Sequence, residues 1–535
     1  MRSMFNRLLT SLYTYIVLAG LGFLGMYFIP MRWGARVMGA DGLSYVTAAR
    51  ELISGRGLYI IDSMGDFVPL IHWPPGFSLV LAAFSAVIDP DEAVKILNSL
   101  LFAVNSFTVG YILRTYGPRI KWLPILGMIV FIGSTTVLKI HADAMSEPLF
   151  ICCLLMTFLF MLKYQETNGK VILAVAAAFA GWGLLTRYIG VTLIMTVITI
   201  IFIHQRKQLK TLISDSSIFA AISSLPMVLW LLRNFLLTGK PTNRVLGWHP
   251  PDYGHWLALK ATFTNWFVPS SYPSTLKTIA GLLALAFITA ILIFWKSRSP
   301  TKTVAQLQAV RTNAFLGVNL LFALFYSLFL LYSIFFIEMI QYPNERLMFP
   351  VYLTGLLTLM IAIGDVWLKD QQNWKKFLLL STLCIFITIG IVRSGVWVYV
   401  AQRDGWGGYN APEKRFSETL AFLRNDPNIN FSKIISNDCG AIYFWLSKST
   451  IEMPVMYYTF YRGLPRDTKV GDKRLDFDSD WGNIKKKIDP GWLLVYFFSP
   501  MASGEFVFPS ENELKGIIKL TLLHRFKDGT VYRID

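Results

Sequence analysis

The chain has 535 residues, 54% hydrophobic, 15% aromatic and 16% charged, with a mean hydropathy of +0.49. An average soluble protein carries about 25% charged residues, so this composition excludes an ordinary soluble enzyme and describes a polytopic membrane protein. The net charge of +17 does not indicate nucleic acid: Lys and Arg fall in short groups between apolar runs, where they set orientation, and no Arg-rich aromatic platform for single strands is present.

Arg2 and Arg7 precede an apolar run of about 20 residues with no small-x-small cleavage site, which reads as an uncleaved first span. Further runs predict spans at 94–113, 122–139, 148–163, 171–186, 189–204, 216–237, 276–295, 313–337, 347–366 and 376–399, the first being 9–30. The run 74–88 is short and opens Pro74-Pro75-Gly76. If it does not cross, Arg114, Arg119 and Lys121, Lys163 and Lys170, Arg206, Lys207 and Lys210, Lys296, Arg298, Lys302 and Arg311, and Lys369, Lys375 and Lys376 all share one side with Arg2 and Arg7. If it crosses, that bias collapses. The positive-inside rule therefore makes 74–88 an interfacial or re-entrant helix and gives about eleven spans, with the N-terminus cytoplasmic and the C-terminus extracytoplasmic in the inner membrane.

Charges return after about residue 400 and no span follows. The stretch 412–424 reads as an amphipathic helix, 433–437 as a buried strand followed by a short helix through Tyr443, 492–498 as a second strand, and 522–534 as a hairpin turning at Asp528-Gly529. The predicted fold class is thus a mainly α polytopic membrane domain, 1–400 with an outside loop 31–93, followed by an extracytoplasmic α/β domain, 401–535. Cys152, Cys153 and Cys384 lie in apolar runs and Cys439 is alone in the polar part, so there is no disulfide framework.

Topology puts every polar cluster with chemical potential on the outside face. The first is Gly39-Ala40-Asp41-Gly42-Leu43-Ser44-Tyr45, with Glu51 and His72 beyond it; Asp62 and Asp66 read as a solvated turn beside Gly65. An aspartate at the mouth of a membrane cavity is desolvated, which raises its proton affinity toward that of a useful base. The bland reading is a carboxylate keeping a juxtamembrane turn in water. The second cluster is His141-Ala142-Asp143-Ala144-Met145-Ser146-Glu147-Pro148, in which Pro148 suits a first helical turn and Glu147 its positive N-terminal end. Glu147 is either a good helix start or an active-site carboxylate; His141 and Asp143 resemble metal ligands only weakly. The third is a set of cations that orientation rules disfavour on this face: Arg187, Arg233, Lys240 and Arg346. They suit a phosphate, or else snorkel to headgroups, Arg346 pairing with Glu345. Trp248, Trp256 and Trp266 line a cavity or form an interface belt. No Walker loop, GxSxG or HExxH occurs, which leaves an ATP-driven pump or serine hydrolase without support.

In order and sidedness these residues resemble the GT-C superfamily of integral-membrane glycosyltransferases, with likeness to lipid A aminoarabinose transferases and bacterial relatives of protein O-mannosyltransferases. The resemblance spans 1–400. It rests on Asp41 after the first span, Gly55-Arg56-Gly57, His72-Trp73-Pro74-Pro75-Gly76 and Ala93-Val94-Lys95. It continues through Ser146-Glu147-Pro148, Leu185-Thr186-Arg187-Tyr188, Arg233-Asn234, Gly239-Lys240-Pro241 and the stretch from Arg346 to Pro350. The resemblance implies an extracytoplasmic transfer from a polyprenyl-phosphate-linked sugar donor to a lipid, glycan or protein acceptor. It implies Asp41 as base, Glu147 as second carboxylate and, more weakly, Asp91 or Glu92. Arg187, Arg233, Lys240 and Arg346 would bind the donor phosphate, and Tyr45, His72, Glu92, His141 and Asp143 would line the cavity. The carboxylates can bind a divalent cation or act without one, and no other cofactor is indicated. The competing readings are a transporter or lipid-linked sugar flippase without catalysis, and a membrane scaffold with a receptor domain. Against the first, charges gather at the outer ends rather than mid-span, and no half-repeat appears.

Overall fold

In the computed structural model the described residues are 11–269, 272–296, 303–337, 342–369, 372–425, 433–458, 476–500 and 506–535; Arg2, Arg7, Arg298 and Lys302 lie outside them. Each predicted span forms a helix: α1 (Leu12–Phe28), α4 (Pro90–Tyr116), the pair α5 (Leu123–Ile132) and α6 (Thr135–Ala142), α7 (Glu147–Thr167), α8 (Lys170–Thr186), α9 (Val191–Gln205), α10 (Leu209–Thr238), α12 (Ser274–Lys296), α13 (Thr303–Phe336), α14 (Phe349–Lys369) and α15 (Asn373–Asp404). Among the described residues seven helices are long and apolar enough to cross a membrane, or eight if α5 and α6 form one span. This is a multi-pass membrane protein. The 17-residue helices α1 and α8 fall just short: at 1.5 Å per residue they rise about 26 Å, against roughly 30 Å of hydrocarbon.

Between α1 and α4 the chain forms α2 (Gly39–Ile53), a hairpin of β1 (Tyr59–Ile61) and β2 (Phe67–Pro69), and α3 (Gly76–Ser85). Asp62 accepts from the amides of Met64 and Asp66 (both 2.9 Å) and Gly65 takes φ +79°, so Asp62 makes the hairpin turn. The ten residues of α3 are too few to span, and Phe77 packs on Tyr45 of α2 (5.4 Å). Gly76 lies so close to the end of α8 that a Cβ would sit 2.8 Å from the Leu185 carbonyl; glycine is required there.

The break between α5 and α6 bends the run by 56°. Its freed carbonyl at Gly133 accepts from Ser394 of α15 (2.6 Å), and Ser394 also meets Thr135 (2.8 Å). A broken helix survives inside a bundle when a neighbour satisfies the backbone in this way. Between α13 and α14, Asn319 donates to the Thr354 carbonyl and the Thr358 hydroxyl (both 2.8 Å), polar glue where apolar burial offers little drive.

The last helix runs to Asp404 and ends at Gly405, φ +78°. Beyond it, 412–424 forms two helices rather than one, α16 (Pro412–Arg415) and α17 (Glu418–Asn425); Asp528 caps the second, accepting from the Thr419 amide (3.2 Å) and hydroxyl (2.9 Å). A mixed sheet follows in the order β4 (Ile451–Glu452), β3 (Ile434–Ser436), β5 (Leu493–Phe497), β7 (Gly529–Ile534), β6 (Leu520–Arg525), with α18 (Cys439–Leu446) after β3. Side chains alternate between its faces. Ile434, Leu493, Val495 and Val531 join the core of the helical bundle, whereas Ile435, Leu494 and Tyr532 build a second core with Trp481 and Leu514. The sheet is therefore welded to the bundle through one face. Tyr443 donates to Glu51 (2.8 Å), Arg50 donates to the Phe444 carbonyl (3.0 Å) and pairs with Asp91 (3.2 Å), and the Glu452 amide reaches the Ser63 carbonyl (2.7 Å).

Candidate active site

Four loops meet at one end of the bundle. Helix α2 begins at Gly39, φ +62°, and presents Asp41 in its first turn, where the helix dipole favours a carboxylate. The segment before it is strapped to the start of α7: the Arg36 amide donates to the Ala142 carbonyl (2.8 Å), the Ala144 amide donates to the Arg36 carbonyl (2.9 Å), and Arg36 grips Asp143 with two nitrogens (2.6 Å each). This strap holds Asp41 near Glu147, the first residue of α7.

The Arg346 guanidinium joins the two carboxylates. Its Nη2 donates to Asp41 Oδ2 (2.7 Å) and its Nε to Glu147 Oε1. Glu147 also pairs with Arg187, which caps the C-terminal end of α8. Trp73 Nε1 donates to the other Asp41 oxygen (3.0 Å). The Tyr45 hydroxyl donates to Ser146 Oγ (3.3 Å), which also accepts from Arg187 (3.4 Å). Asp41, Glu147, Arg187, Arg346 and Tyr45 thus form one cluster. The Asp41 and Arg346 side chains remain 27% and 25% exposed, so the cluster is open to a ligand, while Glu147 is 2% exposed and its Oε2 is buried without a hydrogen bond.

Electrostatics correct one expectation. Burial raises the proton affinity of Asp41, but Arg346, reinforced by Arg187 and the Trp73 N–H, outweighs it and holds the carboxyl below its ordinary range. Asp41 is ionised in the unliganded protein. Tyr45 is pushed up to about 12 by burial and by Asp41 and stays protonated. His72, edge-on to Trp73 (4.5 Å), falls to about 4 through burial and the nearby Arg244 cation, so it is neutral near pH 7.

Arg244 was not singled out in the sequence. It is half-buried within electrostatic range of Asp41, Arg187, Tyr188 and His72, and among the described residues its guanidinium has no ion pair. The sequence signal for Lys240, a cation in the 238–275 loop, applies equally to Arg244. Lys240 is exposed, and among the described residues no side-chain partner holds it in the cluster. Arg233 is spent on backbone, donating to the carbonyls of Leu70 (3.0 Å) and Leu58 (3.1 Å) at the edge of the β1–β2 hairpin. Arg346 pairs with Glu147 and Asp41 rather than with Glu345.

The remaining cavity candidates lie apart. Glu92 accepts from Tyr27, and Lys95 sits over the Tyr27 ring (3.9 Å). His141 is fully buried, with Nδ1 on the Val137 carbonyl (2.8 Å) and Nε2 facing Asn105 (3.1 Å), so both ring nitrogens are occupied. Asp143 is taken by Arg36 and by Trp406 Nε1 (3.1 Å). Among the described residues no group of three or more His, Cys, Asp or Glu side chains could hold a metal ion.

This architecture, a polytopic bundle with its charged cluster at one end and a small sheet region behind it, is the fold of the GT-C glycosyltransferases. Among solved structures, ArnT from Cupriavidus metallidurans bound to undecaprenyl phosphate superposes with a TM-score of 0.58 at 12% identity, covering 97% of this chain and 98% of that one. Arabinofuranosyltransferase AftD from Mycobacteria gives 0.58 at 12% identity over 98% of this chain and 40% of its own. The archaeal oligosaccharyltransferase AglB from Archaeoglobus fulgidus, in complex with an inhibitory peptide and a dolichol-phosphate, gives 0.54 at 9% identity over 91% and 69%. No protein-family profile matches the chain, and no curated protein sequence does.

Proposed function

We propose that this protein is a glycosyltransferase that takes a sugar from a polyprenyl-phosphate donor at the extracytoplasmic face of the inner membrane. The observation that carries the reading is the charge balance of the cluster. Three guanidinium groups, Arg187, Arg244 and Arg346, face two carboxylates, Asp41 and Glu147, and among the described residues Arg244 has no ion pair. One surplus cation in a partly dehydrated site favours a phosphate, and Arg offers it bidentate contact. Undecaprenyl phosphate and dolichol-phosphate are bound by two proteins of this fold, which supports the same class of ligand here.

The ion pair between Arg346 and Asp41 gives the site a switch-like order of events. Without donor, Arg346 holds Asp41 as a poor base. A phosphate arriving among the arginines competes for Arg346, and Asp41, still partly buried, then gains proton affinity. The acceptor oxygen or nitrogen attacks the anomeric carbon; its proton passes to Asp41. The bond from that carbon to the phosphate oxygen breaks, and the electron pair leaves with the phosphate, where the arginines stabilise it. A single displacement inverts the anomeric centre. Asp41 later releases its proton to water. The acceptor is a lipid such as lipid A, a glycan or a protein.

The test measures undecaprenyl phosphate binding by the purified full-length protein. Wild type binds it, and Arg187→Gln/Arg244→Gln weakens binding by roughly 10- to 100-fold, the range expected for losing charge-assisted contacts. Equal binding by both would contradict the phosphate assignment.

A further inference from the structure

A second cluster of cations lies behind the first, where the broken span meets the last helix. Lys139 of α6 sits over the Trp406 ring (5.4 Å), whose other close cation is Arg36 (4.8 Å). Arg393 of α15 neighbours Ser394, the residue that bonds Gly133 at the break. Lys139, Arg393 and Glu345 lie within electrostatic range of one another, and Tyr352, which meets Ser134 across the break (2.9 Å), joins them. Both cations are half-buried.

Their acids do not balance them. Asp143 spends both oxygens on Arg36 and one also on the Trp406 N–H, and it acts on Lys139 only at electrostatic range. Glu345 is the remaining carboxylate, and among the described residues neither Lys139 nor Arg393 has an ion pair within 4.0 Å. Two indole donors on residues flanking this cluster have no hydrogen-bond partner among the described residues. Trp397 lies one turn after Arg393 with its ring on Trp406 (4.9 Å), and Trp266 packs on Tyr352 (5.2 Å). The Nε1 of each is buried with no acceptor. Two cations that share one carboxylate, Glu345, at electrostatic range and two N–H groups without an acceptor among the described residues together call for an anion with several acceptor oxygens. Along α15 the neighbours Val392, Val396 and Tyr399 are exposed by 61%, 61% and 59%, an apolar surface suited to acyl chains.

We propose that Lys139, Arg393, Trp266 and Trp397 form a second phosphate site that takes the headgroup phosphate of an anionic lipid, separated from the first by Glu345 and Arg346. Cations at this depth are costly without a partner, and lipid phosphate is the anion that the surrounding bilayer supplies.

The experiment is native mass spectrometry of the full-length protein in detergent, titrated with phosphatidylglycerol, with phosphatidylcholine as the zwitterionic control and inorganic phosphate as competitor. Wild type is expected to retain one phosphatidylglycerol about tenfold more tightly than Lys139→Gln/Arg393→Gln. Glu345→Gln, which removes the competing acid, is expected to tighten retention, a sign that a structural defect would not give. Undecaprenyl phosphate binding is expected to survive in the double variant. Equal retention by wild type and the double variant would overturn the proposal, as would weakening by Glu345→Gln. Loss of undecaprenyl phosphate with phosphatidylglycerol would merge the two sites and also sink it. Displacement by millimolar inorganic phosphate would exclude a lipid source. None of these readouts depends on sugar transfer.

Discussion

The two ends of the helical bundle both bury polar side chains, and they use them differently. At the end away from Asp41, Gln205 donates to the Tyr164 hydroxyl (3.3 Å) and to Asn168 (2.9 Å), and Tyr164 donates to Asp215. Glu166 pairs with Arg311 (2.9 Å), and Thr312 donates to the Tyr116 carbonyl (2.7 Å). Hydroxyls, amides, the Asp215 carboxylate and the Glu166–Arg311 ion pair tie α4, α7, α9, α10 and α13 together there. At the Asp41 end, arginines outnumber carboxylates, and the shared Arg346 has to satisfy two acids at once. A bundle needs polar ties of the first kind to fix its register. The second kind is unstable alone and makes sense around a ligand.

Variants that remove one charge should separate the two ends. Glu147→Gln should have the largest effect on the fold. It leaves Arg187 and Arg346 facing each other in a buried site, which costs about 3–5 kcal/mol, and thermal unfolding in detergent should show a clear drop in Tm. Arg244→Gln should leave Tm near wild type and raise the KM for a polyprenyl-phosphate donor by roughly tenfold or more, because among the described residues it has no ion pair to lose. Arg346→Gln should move the pH profile. Asp41 acts ionised, and its folded value is now depressed, so wild-type kcat/KM should hold on the acid side until pH falls below the ordinary carboxylate range. Without Arg346 only Arg187 and the Trp73 N–H oppose the burial of Asp41, and the acid limb should shift upward; Arg346→Lys should partly restore it. An unmoved limb would remove Asp41 from the base role. At the opposite end, Arg311→Gln breaks a pair whose side chains are 37% and 33% exposed, and should change stability by less than about 1 kcal/mol without altering transfer. Lys240→Ala should be the quietest, within about twofold of wild type in donor KM, since Lys240 is exposed and no partner among the described residues holds it in the cluster.

Much of this was legible in the sequence because membranes impose long apolar runs. The apolar helices, including the short one within 74–88, and the strands at 433–437, 492–498 and 522–534 follow from hydropathy and period alone. The convergence of Asp41, Glu147, Arg187 and Arg346 followed from sidedness, since loops on one face of a bundle have little room to diverge. Sidedness does not give lateral position around the bundle. Arg233 and Lys240 share the face with Arg244, yet one braces the hairpin through the Leu58 and Leu70 carbonyls and the other is exposed. His141 failed for a related reason: a helix-end histidine facing the protein interior meets Phe102 (5.2 Å) and Asn105 rather than a cavity. The proton affinity of Asp41 could not be read either, because burial and a guanidinium push it in opposite directions and only contact distances decide between them.

The most direct test of the transferase reading uses membranes holding equal amounts of wild type or Asp41→Asn, supplied with a radiolabelled polyprenyl-phosphate sugar pool. Asn keeps the shape of the side chain and removes the base. Wild type should move label to an extracytoplasmic acceptor, and Asp41→Asn should transfer about 10²- to 10⁴-fold more slowly while still binding undecaprenyl phosphate. Full activity in Asp41→Asn would contradict the account and shift the base role to Glu147. Wild type that binds the lipid, carries it across the membrane and transfers no label would replace the transferase with a flippase.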